Sequence, residues 1–209
     1  MTRPVVTHCE YFAFGGVLFT NDATFGSQKG PALPLPKFTF VLGGAASGKS
    51  SFAESLCFQS TRSRVYIATA QAFDDEMRAK VSAHRSQRGS DWLTLEAPLD
   101  VAGALAARTP EEIVLIDCAT LWLSNVLLEQ KDTAAAVAAL LAAIATCPAK
   151  IIVVSNEVGH GIVPDNALAR QFRNAQGRLN QSIAAQADLV VTVIAGLPQI
   201  LKGDKDMLT

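Results

Sequence analysis

Residues 38–56 read FTFVLGGAASGKSSFAESL, and this stretch decides the fold. FTFVL is a short apolar run rich in strand-forming residues. SFAESLCF, from residue 51, has helix-forming character. Between them GGAASGKS (43–50) matches G-x-x-x-x-G-K-[ST] in the strand–loop–helix setting that gives the pattern its meaning. Gly43, Gly44 and Gly48 let backbone N–H groups turn inward around a phosphate without Cβ clashes, and the helix N-terminus adds partial positive charge. Lys49 is placed to reach β- and γ-phosphates, and the Ser50 hydroxyl to ligate Mg²⁺. The whole run Gly43, Gly44, Ala45, Ala46, Ser47, Gly48, Lys49 and Ser50 is therefore a nucleotide-binding candidate.

Outward from the loop, apolar β-branched runs recur at RVYIAT (64–69), IVLID (113–117), KIIVVS (150–155) and LVVTVI (189–194). Their continuous apolar character suits strands buried on both faces. Helical stretches separate them. In ALARQFRNAQGRLNQSIAAQA the residues Leu168, Phe172, Ala175, Leu179 and Ile183 form a stripe at helical spacing, with PDN (164–166) as a start signal. The Ala-rich AAAVAALLAAIATC (134–147) reads as a buried helix. Strands alternating with helices predict one α/β domain over residues 38–209, a P-loop NTPase with a mainly parallel sheet flanked by helices. Residues 1–37 differ: the first 36 hold four of the nine prolines, four glycines and only four charges, a linker-like N-terminal extension. IVLID ends in Asp117, which either holds a Mg²⁺-bound water beside the phosphate loop or merely caps a turn.

Bulk properties narrow the function. With 18 basic against 19 acidic residues, nothing suggests nucleic-acid binding by charge. Cys9, Cys57, Cys118 and Cys147 are scattered without C-x-x-C spacing, which argues against a disulfide or zinc framework and fits a reducing, cytoplasmic setting. YFAFGGVLF (11–19) is about half the ~20 residues that a membrane span needs. No N-K-x-D string is present to read guanine in the manner of a switch GTPase; SNEVG (155–159) lacks the lysine.

DDEMRAKVSAHRSQRG (74–89) places His84 in line with Met77 and Val81 at helical spacing, beside Arg85 and Arg88. On an apolar face a lone histidine reads first as a packed core residue; a neutral imidazole is also a competent nucleophile near neutral pH.

Four blocks now weigh together: GGAASGKSSFAESL, VYIATAQAFDDEMRAKVSAHRSQRG, LIDCATLWLSN and VSNEVGHGIVPDNALARQFRNAQGRLNQ. In order, across about residues 38 to 203, they resemble the bifunctional adenosylcobinamide kinase / adenosylcobinamide-phosphate guanylyltransferase family of cobalamin biosynthesis. The resemblance implies a RecA-like P-loop sheet, a homotrimer, and two reactions. A nucleoside triphosphate, ATP or GTP, phosphorylates adenosylcobinamide. GTP then gives GMP to adenosylcobinamide phosphate through a GMP–histidine intermediate.

His84 is the only histidine in the block that bears the family's nucleophile, so the resemblance assigns that role to it. Covalent catalysis would divide guanylyl transfer into two displacements, with Arg85 and Arg88 bringing positive charge to the transferred group. The same resemblance gives nucleotide contacts to Ala68, Thr69 and Ala70, to Arg85, Ser86, Gln87 and Arg88, and to Glu96 and Asp117. Glu96 suits guanine, because a carboxylate accepts from N1 and N2 donors that adenine lacks; otherwise it is a solvated loop acid. Asn156 and Glu157, just past a strand's C-terminal end, read either as ligand-holding residues or as turn caps. His8 and His160 match nothing in the family, and Trp92 and Trp122 read as packing residues.

The chain departs from the family in three respects. Ala46 stands where the family's loop usually has arginine, the His84 block has one histidine where some members have two, and the lead-in of 37 residues has no counterpart. Two rival readings follow: a member with a single activity, and a nucleotide-binding regulatory module without turnover.

Overall fold

The computed structural model describes residues 12–14, 17–19, 35–71 and 91–204. His84, with Arg85, Ser86, Gln87 and Arg88, lies outside the described residues, as do His8 and most of the N-terminal lead-in.

Nine strands and five helices are described. β1 (Phe12–Phe14) and β2 (Val17–Phe19) pair antiparallel as a two-stranded ribbon. The main sheet has seven strands: β3 (Phe38–Gly43), β4 (Ser63–Ala68), β5 (Trp92–Glu96), β6 (Glu112–Asp117), β7 (Lys150–Asn156), β8 (Leu189–Ile194) and β9 (Leu197–Lys202). The helices are α1 (Lys49–Phe58), α2 (Val101–Ala106), α3 (Ala119–Leu128), α4 (Thr133–Thr146) and α5 (Ala167–Gln186).

The strand order is β5-β4-β6-β7-β3-β8-β9, parallel throughout except for the antiparallel edge strand β9. The fold is thus the P-loop α/β sheet of RecA-like order, in which β7 separates the strand that feeds the phosphate loop from the strand ending in Asp117. All five strands expected from apolar runs form, with ends shifted by at most a residue. β5 and β9, both edge strands, did not stand out as apolar runs because an edge needs less burial. β9 alternates in exposure and carries Pro198, which an edge tolerates because its missing N–H breaks no central ladder.

Side-chain alternation divides the core in two. On one face Phe40, Ile67, Ile116, Ile151 and Val153 pack against α2, α3, α4 and α5; on the other Val41, Tyr66, Leu115, Ile152, Val154 and Val193 pack against α1.

Two helical expectations need correction. The Ala-rich helix α4 is not buried: among its residues only Leu140 and Ile144 are, because methyl side chains lose little by facing water while one narrow stripe docks. In α5 Leu179 and Ile183 are buried as the stripe predicts, but Leu168 is 62% exposed, and Gln176 and Asn180 take core positions instead. They are there because Ser155, at the end of β7, presents a buried hydroxyl that must be paired. Asn166 of the PDN signal does cap α5, its side chain accepting from Ala169 N–H.

Among the described residues no helix is long and apolar enough to cross a membrane. Leu35 is buried, and its carbonyl accepts from Lys150 Nζ, tying the start of the described domain to β7.

Candidate active site

The ends of β3, β4, β6 and β7 bring the candidates to one edge of the sheet. At that edge, outside the carboxyl ends of parallel strands, α/β folds hold their ligands.

The phosphate loop is built by close approach. At Gly43 a Cβ would collide with Ser47 Oγ and lie 2.7 Å from Val193 O. Gly48 has φ 90° and a Cβ there would come within 3.2 Å of Gly196 Cα. Both positions therefore require glycine. Ala46 adopts φ 54°, a left-handed conformation that costs an alanine about 1–2 kcal/mol. Three hydrogen bonds brace the loop: Ser47 N–H to Gly44 O (3.3 Å), Gly196 N–H to Ser47 O (2.9 Å) and Glu157 N–H to Gly43 O (3.0 Å). The second comes from the tight β8–β9 turn at Ala195 and Gly196, both with positive φ, the pairing that a two-residue hairpin needs. Sequence reasoning missed this brace; the Ala-Gly pair between two apolar runs was its signal.

No side chain caps α1, and its first turn holds no acidic residue, so the positive end of the helix faces the loop. Ala46, Ser47, Gly48, Lys49, Ser50 and Ser51 line a cavity of about 300 Å³ there. Lys49 Nζ donates to Gly44 O at 3.1 Å across the loop. Ser47 Oγ is buried without a hydrogen-bond partner among the described residues.

Asp117 is not a helix cap. Its carboxylate accepts from Tyr66 O–H at 3.0 Å, while Cys118 caps α3. Asp117 lies two strands from β3, about 10 Å at ordinary strand spacing. Ala68 stands in register with both Asp117 and Glu96, so these three share one level of the sheet. Thr69, fully buried, donates to Cys118 O (2.8 Å) and accepts from Cys118 N–H (2.7 Å), and Ala70 follows it. Glu96 is exposed at the sheet's edge, four strands from β3, or about 19 Å. The structure thus brings Ala68, Thr69 and Asp117 together, with Glu96 beside Ala68 on the outer strand and four strands from the phosphate loop. Glu96 opens instead on a second cavity, of about 590 Å³, lined from Thr94 to Asp100 and by Ala104.

Sequence reading also missed the residues that hold this edge in shape. Asn125 Nδ2 donates to Thr69 O (2.8 Å) and Pro98 O (2.9 Å), joining the segment after β4 to the one after β5. Trp122 Nε1 donates to Leu99 O at 3.0 Å, so this buried residue fixes a loop as well as packing. On β7, Ser155 Oγ meets Thr120, Asn180 and Gln176 in a buried polar cluster. Polar residues at stripe positions of an amphipathic helix were the available signal for Gln176 and Asn180. His160 is exposed.

Burial raises the Cys118 thiol to about 11, with the neighbouring Asp117 carboxylate adding to the effect. Cys118 is a structural thiol, not a nucleophile.

A triphosphate with its divalent cation fits these residues. The uncapped helix end, the Ser47 hydroxyl without a partner and the glycines that no Cβ can replace all suit a phosphate. Ser50 and Asp117 are oxygen donors of the kind that Mg²⁺ takes.

A family model described as cobinamide kinase / cobinamide phosphate guanyltransferase matches residues 39–201, which span the loop, the strand edge and every helix described above. The chain belongs to this family. Among its relatives is the bifunctional adenosylcobalamin biosynthesis protein CobP of Pseudomonas aeruginosa, 43% identical over 167 residues, covering 78% of this chain and 96% of that protein. CobU of Escherichia coli, likewise named a bifunctional adenosylcobalamin biosynthesis protein, is 40% identical over 173 residues, covering 75% and 95%. Among solved structures, the flagellar accessory protein FlaH of Methanocaldococcus jannaschii is similar at 14% identity and a TM-score of 0.42, over 82% of this chain and 80% of that one. Within the cobinamide kinase family, this chain carries alanine at position 46 of its phosphate loop.

Proposed function

We propose that this chain is a bifunctional enzyme that phosphorylates adenosylcobinamide and then transfers GMP from GTP to the resulting phosphate, giving adenosylcobinamide-GDP. The match to the family over residues 39–201, a span that includes the phosphate loop and the His84 block, carries this reading. The phosphate loop holds a triphosphate on backbone N–H groups and Lys49. In the kinase step a hydroxyl oxygen of adenosylcobinamide attacks the γ-phosphorus and gives up its proton to solvent, while the bond to the β–γ bridging oxygen breaks and the nucleoside diphosphate leaves. Ser50 and Asp117 would hold Mg²⁺, which neutralises charge building on the phosphate oxygens.

In the second reaction an imidazole nitrogen of His84 attacks the α-phosphorus of GTP. A P–N bond forms, the bond to the bridging oxygen breaks, and pyrophosphate departs. A phosphate oxygen of adenosylcobinamide phosphate then displaces His84 from the same phosphorus. Arg85 and Arg88 supply positive charge, and Ser86, Gln87, Ala68, Thr69 and Ala70 supply nucleotide contacts. Glu96, on its own cavity far from the phosphate loop, suits the guanine of a nucleotide whose α-phosphate lies at His84. ATP or GTP serves the kinase step, the assembly is a homotrimer, and the setting is cytoplasmic.

The test is labelling with GTP radioactive at the α-phosphate. Acid-labile, alkali-stable label on the parent and none on His84→Ala is expected. Absence of label on a folded parent that binds GTP overturns the covalent route.

A further inference from the structure

We infer that Asn156 takes part in the phosphate-loop site: its amide oxygen accepts a hydrogen bond from a water on the divalent cation that accompanies the bound triphosphate. The inference rests on the reading of residues 43–50 as a triphosphate site.

Position comes first. β7 lies between the phosphate-loop strand and the strand ending in Asp117, and Asn156 pairs in register with Gly43, where the loop begins. Val154 is level with Asp117, so Asn156 stands two residues nearer the ligand edge. Alternation settles the face. Ile152 and Val154 belong to the core under α1, and Ser155 turns to the opposite face, so the Asn156 side chain stands on the side of α1 and the loop. Gly43 projects to that same face, where Ser47 Oγ fills its Cβ space.

Rigidity comes second. Asn156 N–H donates to Thr120 Oγ1 at 2.7 Å, its carbonyl accepts from Asn180 Nδ2 at 3.1 Å, and Glu157 N–H donates to Gly43 O. The backbone at this position is held from three directions. Thr120, Ser155, Gln176 and Asn180, a polar cluster that the core would otherwise replace with apolar side chains, converge on it.

The decisive observation is what the side chain lacks. Among the described residues Asn156 Oδ1 is buried and accepts no hydrogen bond, an arrangement that costs stability unless a ligand completes it. Of the other such oxygens among the described residues, on Ser47, Gln59 and Gln176, Ser47 Oγ lies at the same level, beside Gly43. An amide oxygen beside a triphosphate cannot bond phosphate oxygens, which are acceptors too. It needs a donor, and Mg²⁺ bound to a nucleotide keeps several waters whose protons serve.

The test measures affinity for non-hydrolysable ATP and GTP analogues by calorimetry, with Mg²⁺ and again with EDTA, alongside melting of the nucleotide-free protein. For Asn156→Ala we expect about tenfold weaker binding with Mg²⁺, unchanged binding in EDTA, and a melting temperature no lower than the parent's. Asn156→Asp, which keeps an acceptor oxygen, retains affinity with Mg²⁺. Equal loss in both media, or no loss, overturns the inference, as does a lower melting temperature matching the affinity loss. Should the alanine variant fail to fold, the aspartate variant decides alone: weaker binding with Mg²⁺ than the parent overturns it. A parent that binds neither analogue removes the triphosphate reading itself, a separate result.

Discussion

Lys49, Gly48 and Ala46 show how differently three neighbours in one loop are constrained. Among the described residues Lys49 Nζ makes only an exposed bond to Gly44 O, so Lys49→Ala should leave the melting temperature within about 2 °C, a change under ~0.5 kcal/mol. Nucleotide affinity measured by calorimetry should fall at least about tenfold, as a charge-assisted contact to phosphate is lost. Gly48→Ala acts on the fold instead. A left-handed φ and a 3.2 Å approach to Gly196 together should cost about 1–3 kcal/mol in urea unfolding. Ala46 is exposed and has the same sign of φ, so Ala46→Gly relieves strain and should gain about 0.5 kcal/mol after the entropy cost of glycine. The motif was legible at this scale because phosphate cradles demand particular residue types. Gly196, Tyr66 and Asn125 were not, since each acts on a segment far away in the chain.

Among elements, α5 departs most from its sequence pattern. Of its apolar stripe Leu168 stays exposed, Phe172 and Ala175 pack at the core's margin, and Gln176 and Asn180 take buried positions bonded to Ser155 and Asn156. Asn180→Leu would leave the Asn156 carbonyl and the Ser155 hydroxyl short of partners. A loss of about 2–3 kcal/mol is expected from the urea midpoint with an unchanged slope. Asn166→Ala removes only a cap and should cost about 1 kcal/mol in the same experiment. Periodicity located this helix correctly. It could not say that hydroxyl chemistry on a neighbouring strand would select amides over aliphatics at two of its buried positions.

For the whole molecule, the buried thiols on the two sides of α1's core predict the behaviour at high pH. Cys118 rises to about 11 and Cys57 higher still, both chiefly by burial, the latter with Glu54 adding to it. Each thiol is neutral in the folded protein where the unfolded chain would ionise it near 9. Above that pH the unfolded state holds fewer protons, so stability is full below pH 9 and falls progressively as pH rises towards 11. Melting temperatures measured from pH 8 to 11 should decline accordingly, and Cys118→Ala should flatten the slope. A parent slope equal to the variant's would refute the assignment.

By itself the sequence determined the class of fold and the position of the phosphate loop, because both rest on local chemistry. Buried parallel strands must be continuously apolar, and a loop wrapped on phosphate must have glycines at its tightest points. Strand order is different. That β7 lies between Gly43 and Asp117, that Ala68, Glu96 and Asp117 share one level, and that Asn156 faces the loop depend on which strands pair. Pairing minimises exposed apolar surface over the entire sheet, a sum to which every strand contributes and which no single stretch encodes. The edge strands and the buried amides were decided the same way, by what lay opposite them once the sheet had formed.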